Sequence, residues 1–288
     1  MSSIASPQRE PSANNTSSLE CVVASYAIAR LQNDAVNALR KQSSSLPGDL
    51  GNSVLRHSDE QTLTSLVAVR DAISNFETPP ESYEDWGVVT SSRYLGRTAF
   101  AQALNKYAVD GPWNVSVQVV PNRSLHSPAS MVGLALGCHG PCVGVGGGLD
   151  GEPDAWLTAT SLLDQHQLPG IWLIFSGWEP DERIDLEGVS LNNPSCTALA
   201  LALQPATSQP GAGRLTIVYD SQNVVPLSVP AQVTALNQFE NFVAGGMKGQ
   251  TMTTNLGGGL RVEMDWSPAV TTTIPLVNPV APGQKRAA

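Results

Sequence analysis

Residues 121–151 read "PNRSLHSPASMVGLALGCHGPCVGVGGGLDG" and decide how the rest of the chain is read. "PASMVGLALGC" (128–138) has helical spacing with small residues on its packing face. Gly140-Pro141 breaks it, and "CVGV" (142–145) is a short apolar strand. Three glycines follow, Gly146 to Gly148, then Leu149, Asp150 and Gly151. "EPDAWLTATSLLDQHQL" (152–168) is a second helix, with Pro153 in the first turn where a missing N–H costs nothing. A strand, a glycine turn and a helix in this order often present a reactive group on the turn. Here the turn carries no Ser, Cys or Thr. Its glycines allow a tight reversal, and Asp150 is placed to cap the helix.

The pattern continues outward on both sides. "DEQTLTSLVAVRDAISNF" (59–76) repeats apolar residues every three or four positions, and Asp59 and Glu60 load its first turn. "WGVVTSS" (86–92) is a short buried strand, and "RTAFAQALNKYAV" (97–109) is a helix closed by Asp-Gly-Pro. "NVSVQVV" (114–120) reads as a strand or an extended loop. "GIWLIFSGWE" (170–179) is apolar enough to be buried on both faces, and "CTALALALQP" (196–205) continues that character. A β-branched strand over 19–31 precedes all of these. Alternating helices and strands predict an α/β fold with a layered sheet. After about residue 206 an added strand (214–220), helix (231–246) and strand (260–266) follow. The expected organisation is a disordered polar leader (1–18), a main domain (19–205), a short extension of it (206–268) and an irregular tail (269–288).

Composition narrows the function. The 288 residues are 41% hydrophobic and 14% charged, with a net charge of −9. An acidic chain with no Lys/Arg cluster is unsuited to nucleic acid or to anionic membranes. No stretch approaches the ~20 apolar residues of a membrane span, and the N-terminus lacks the order of a signal peptide, so a cytoplasmic location is expected. Cys138-His139-x-x-Cys142 has metal-ligand residue types, but a structural zinc site needs four ligands. Cys21 and Cys196 stand alone, so no metal is expected. Gly146-x-Gly148-x-x-Gly151 permits a second reading, a nucleotide- or acyl-binding protein using the Gly146–Gly151 turn. His126, flanked by Ser124 and Ser127, either serves a site or fixes its loop. The four histidines are His57, His126, His139 and His166, and none follows residue 166. Any mechanism that draws a general-base histidine from the C-terminal half is excluded.

Residues 86–205 resemble the N-terminal half of a β-ketoacyl synthase, a thiolase-like fold, through "WGVVTSS", "VPNRSLHSPASMVGLALGCHGPCVGVGGG" and "IWLIFSGWE". The resemblance implies helices layered around a mixed sheet, in a ketosynthase-type N-terminal half with a truncated C-terminal half. In that family a cysteine nucleophile sits on the turn and two histidines come from the C-terminal half. Counted from Gly140-Pro141, the nucleophile position falls on Leu149, or on Gly148 or Asp150 with one residue of slip, and no choice is a cysteine. A narrower resemblance over about residues 20–268 is to the short chain-length-factor-like proteins of aryl-polyene-type clusters. It is carried by "SLHSPAS", "GGGLDGEPD", "CTALALALQPA" and "ALNQFENFVAGG…LRVEMDW". Where that family commonly has Tyr-Asp-Glu-Pro, this chain has "SGWEPDE" and keeps Glu179-Pro180. The resemblance implies a chain without catalytic residues or cofactor and with a vestigial turn at Gly147, Gly148, Leu149 and Asp150. The chain would pair with an active β-ketoacyl synthase subunit through Val143, Gly144 and Val145. An acyl carrier protein would dock on that partner, and Leu149 would plug the acyl tunnel.

Overall fold

A computed structural model of the protein describes residues 16–41, 46–48, 50–146, 151–208, 211–220, 235–244, 251–257 and 259–266. Eight strands form one sheet: β1 (Thr16–Leu31), β2 (Gly87–Ser92), β3 (Cys142–Gly144), β4 (Ile171–Glu179), β5 (Ser195–Pro205), β6 (Gly213–Asp220), β7 (Thr251–Gly257) and β8 (Leu260–Trp266). Their spatial order is β3-β2-β4-β5-β1-β6-β8-β7. β2 runs parallel to β3 and to β4, and every other pairing is antiparallel. This is the mixed sheet that the ketosynthase resemblance implies. The C-terminal strands β6, β8 and β7 add to its β1 side instead of building a second sheet.

The strand pattern assigns the layers. In β5 Leu199, Leu201 and Leu203 point to one face while Ala198, Ala200 and Ala202 point to the other. β4 divides likewise, Ile171, Leu173 and Phe175 against Trp172 and Ile174. The leucine face packs under α7 (Gly151–Gln165) and α8 (Ala235–Ala244). The alanine face is low, so α3 (Glu60–Ser74) lies close on it, α6 (Ser127–Leu136) covers β2 and β3 in the same layer, and α1 (Asn33–Leu39) and α2 (Asn52–His57) join the same apolar cluster. Each fully buried leucine contributes about 1.5–3 kcal/mol. α3 is buried nearly all round. Asp59 caps it by accepting a hydrogen bond from the Gln61 N–H at 2.9 Å, and Asn75 ends it, donating from Nδ2 to the Tyr26 carbonyl.

Two expectations are corrected. β1 begins at Thr16, within the expected leader, because Thr16 to Leu19 pair with Asp220 to Ile217 of β6. Residues 114–120 form neither strand nor extended loop. Pro112–Asn114 make a 3-10 turn, and the short helix α5 (Val119–Arg123) follows. Local hydrogen bonds win there: the Asp110 carbonyl accepts from Asn114 Nδ2, and Ser116 Oγ accepts from the Gln118 N–H. The β-branched residues of that stretch meet no neighbouring strand, and Val117 and Val120 are exposed. The expected irregular tail lies outside the described residues.

Candidate functional site

The strand–turn–helix of β3 and α7 is assembled by glycines that admit neighbours where a side chain would collide. A Cβ on Gly133 of α6 would lie 2.7 Å from Cys142 Sγ, so α6 rests directly on β3. One on Gly140 would lie 2.4 Å from the Trp86 carbonyl oxygen. One on Gly144 would lie 2.0 Å from the Leu125 carbonyl oxygen and 2.9 Å from the His126 nitrogen. At the neck of the turn Gly146, with φ +70°, comes so close to Gly151 that a Cβ would sit 2.2 Å from its Cα. Close packing accounts for both outer glycines of the Gly146-x-Gly148-x-x-Gly151 pattern. Gly147, Gly148, Leu149 and Asp150 lie outside the described residues.

β3 is the outermost strand on its side of the sheet. The Pro141 carbonyl accepts from Val88 N–H, and Val145 N–H donates to the Thr90 carbonyl, each at 2.8 Å. Alternation along a strand therefore turns the backbone of Cys142 and Gly144 to the open edge. The side chains of Val143 and Val145 pack inward on the leucine face.

His126 immediately precedes α6 and is exposed, with its carbonyl accepting from Ser130 N–H at 3.0 Å. Ser127 is buried and donates from Oγ to the Asn122 carbonyl at 3.2 Å. The structure thus brings the backbone of His126 beside Gly144, while Ser127 is held in local bonds to Ser124 and Asn122. His57, His139 and His166 are also exposed, and His139 Nδ1 lies 3.3 Å from Glu84 Oε1. No group of three or more metal-ligating side chains comes together among the described residues. Burial pushes every cysteine thiol up: Cys21 and Cys138 to about 12, Cys142 and Cys196 in the same direction. A thiolate is the nucleophilic form, so none of the four is primed.

Two features escaped the sequence reading. The first is an arm made of α4 (Arg97–Asp110), the 3-10 turn and α5. α4 has fourteen residues and buries none of them. Leu104, Tyr107, Val109, Trp113, Val117 and Val120 are all exposed, Trp113 at 96%. The loop after β4 adds Leu186, at 97%, with Val189 and Leu191, and it is tied to the arm by Gln102 Nε2 donating to the Gly188 carbonyl. The base of the arm is held by Arg123, whose Nη1 is 2.7 Å from Asp59 Oδ2 and 3.1 Å from Glu60 Oε2, while Arg40 also pairs with Glu60. Burial, then the Glu60 charge, raises the Asp59 carboxyl to about 6 against the pull of Arg123. Burial raises Glu60 too, but Arg123 and Arg40 outweigh it and hold Glu60 below its ordinary value. The second feature is a cavity of about 930 Å³ at the C-terminal ends of the parallel strands β2 and β4, lined by Arg93, Arg97, residues 179–184, Asn192 and Asn237. The run "EPDERI" after a buried strand was the available signal, but nothing in it pointed to Arg93 and Arg97 across the sheet.

Comparison with solved structures follows the same frame. The chain matches the ishigamide ketosynthase/chain length factor with a TM-score of 0.52 at 12% identity, over 86% of this chain and 99% of that one. The chain has a ketosynthase-type fold. A ketosynthase in complex with its chain length factor from Xenorhabdus doucetiae matches with a TM-score of 0.48 at 12% identity, over 86% of this chain and 97% of that one. No protein-family model matches the sequence, and no curated protein matches it. The thiolase-like α/β architecture expected from residues 86–205 is thus met over 86% of the chain by the ishigamide ketosynthase/chain length factor match.

Proposed function

We propose that this chain is a non-catalytic, chain-length-factor-like subunit that pairs with an active β-ketoacyl synthase in polyketide- or fatty-acid-type polyene biosynthesis, within an aryl-polyene-type cluster. The observation that carries this is α4, a helix of fourteen residues with none buried. An apolar arm of this size, flanked by the exposed 186–191 loop, calls for a protein partner. The arm returns through α5 to Leu125 and His126, which lie on Gly144 of β3. The open strand edge and the apolar arm are therefore neighbours, and an edge strand is a ready template for pairing. Cys142 and Gly144 supply the edge and Val143 and Val145 stiffen it from within.

Four thiols held protonated by burial, and four histidines on the surface, support a scaffold role over condensation chemistry. Gly147, Gly148, Leu149 and Asp150 form the vestigial turn in this reading, and Leu149 ends the partner's acyl tunnel by volume. With a net charge of −9, the chain leaves docking of an acidic acyl carrier protein to the synthase. The neighbour described as a ketosynthase/chain length factor supports this reading by fold.

The test is co-expression with an active β-ketoacyl synthase from the same gene cluster. A stable one-to-one complex on gel filtration is expected, and the chain alone should not condense acyl and malonyl thioesters. Condensation by the isolated chain, or separate elution of the two proteins, defeats the reading.

A further inference from the structure

The cavity at the C-terminal ends of β2 and β4 has a charge arrangement that the pairing role does not use. Its acids are engaged. Asp181 Oδ1 lies 2.8 Å from Arg93 Nη2, buried Glu182 accepts from Thr98 Oγ1, and Glu179 Oε2 lies 3.4 Å from Arg30 Nη2. Arg93 also donates to the Trp178 carbonyl at 3.2 Å, and its own carbonyl accepts from Gln61 Nε2 at 2.9 Å, so it is fixed as part of the wall. Two guanidinium groups remain. Among the described residues neither Arg97 nor Arg183 has a carboxylate within 4 Å, although both line the cavity.

The Arg97 guanidinium rests on a ring and the Arg183 backbone is fixed, and neither charge is neutralised. Arg97 opens α4, and its guanidinium carbon lies 5.5 Å from the centre of the Tyr94 ring. The backbone of Arg183 is clamped on both sides: its N–H donates to Asn192 Oδ1 at 2.9 Å, and its carbonyl accepts from Leu191 N–H at 2.7 Å. Asn192 in turn donates from Nδ2 to the Asp181 carbonyl at 3.0 Å. A volume of about 930 Å³ is that of a small-molecule site. Its position outside the carboxyl ends of parallel strands is where open α/β sheets bind ligands. The positive end of the α4 dipole at the rim adds to the attraction for an anion.

We infer that this cavity binds a small molecule bearing a phosphate group, with Arg97 and Arg183 as its paired donors. Guanidinium groups match phosphate oxygens bidentately, and two of them suit a dianion better than a single carboxylate.

The full-length chain is titrated with inorganic pyrophosphate, and separately with malonate, by calorimetry at low ionic strength. Thermal melts against sodium chloride of matched ionic strength run alongside. Saturable pyrophosphate binding is expected, tighter than malonate, with a rise in melting temperature that chloride does not reproduce. Arg97→Gln and Arg183→Gln should each weaken it about tenfold, the effect of one lost charge-assisted contact. Arg56→Gln, at an exposed position of α2 outside the cavity, should leave it unchanged. Both cavity arginines are exposed, and Arg183 serves the fold through its backbone, so at least that variant folds and reports. Absence of saturable binding, preference for malonate, or equal binding by Arg183→Gln and the parent chain overturns the assignment. None of these outcomes bears on complex formation with a synthase.

Discussion

Asp59 serves three ends with one carboxylate: it caps α3, pairs with Arg123, and through Arg123 anchors the base of the arm. Its folded pKa of about 6 lies above the ordinary 3.8, so the folded chain holds this proton more tightly than the unfolded chain. Its contribution to stability is fully present below about pH 4 and is lost as pH rises towards 6. Glu60, held low, works in the opposite direction, its contribution being lost as pH falls. Asp59→Asn keeps a good cap and removes only the first dependence. The unfolding free energy of the variant minus that of the parent should therefore climb from pH 4 to pH 6 in urea titrations. A flat difference would show that burial does not govern this carboxyl. Glycine offers a second residue-scale test. Gly146→Ala forces a Cβ against Gly151 in the left-handed region and should cost on the order of 3 kcal/mol. Gly137 has a similar φ of +67° and open space around it, so Gly137→Ala should cost only about 1 kcal/mol. Equal losses on chemical denaturation would mean that backbone strain, and not packing of the turn, explains both.

At the scale of elements, α4 and β3 are secondary structures whose sequences are ordinary and whose surroundings are not. The periodicity of residues 97–109 was legible as a helix. That no described segment buries it was not legible, because the same apolar spacing describes a helix buried in a core and a helix awaiting a partner. Ser replacements at Leu104, Trp113 and Val117 touch exposed side chains and should each change the stability of the isolated chain by no more than about 0.5 kcal/mol. Against a co-expressed synthase the triple variant should lose complex formation by tenfold or more, the behaviour of a buried aromatic anchor. Unchanged capture on gel filtration would remove the arm from the interface. Residues 114–120 teach the complementary lesson. Alternating valines suggested an extended segment, yet Pro112 and the Asp110 and Ser116 hydrogen bonds turned the chain helically because no strand lay alongside to reward extension.

For the molecule as a whole, the sheet ends among the described residues at β3 and β7, with β4, β5 and β1 paired on both sides. Amide exchange should be slowest in β4 and β5 and fastest at the two ends. Binding of a synthase should slow exchange at Cys142 and Gly144 while leaving β7 unchanged; protection appearing at β7 instead would place the partner on the wrong end of the sheet. Much of this architecture is already written in local pattern. "CTALALALQP" sorts leucines and alanines to opposite faces by alternation alone, "IWLIFSGWE" declares a strand buried on both sides, and 59–76 declares its helix with its cap. The glycines of 140–151 announce a tight turn, and the set of residue types excludes a cysteine on it. Strand order, the continuation of the sheet through β6, β8 and β7, the exposure of the arm, and the meeting of Arg93 and Arg97 with residues 179–184 were decided only by the tertiary structure. The physical reason is one of range. Alternation, capping and turn geometry act between residues a few positions apart. Which apolar face stays uncovered, and which arginine is left without a carboxylate, depends on what distant segments bring to the same place.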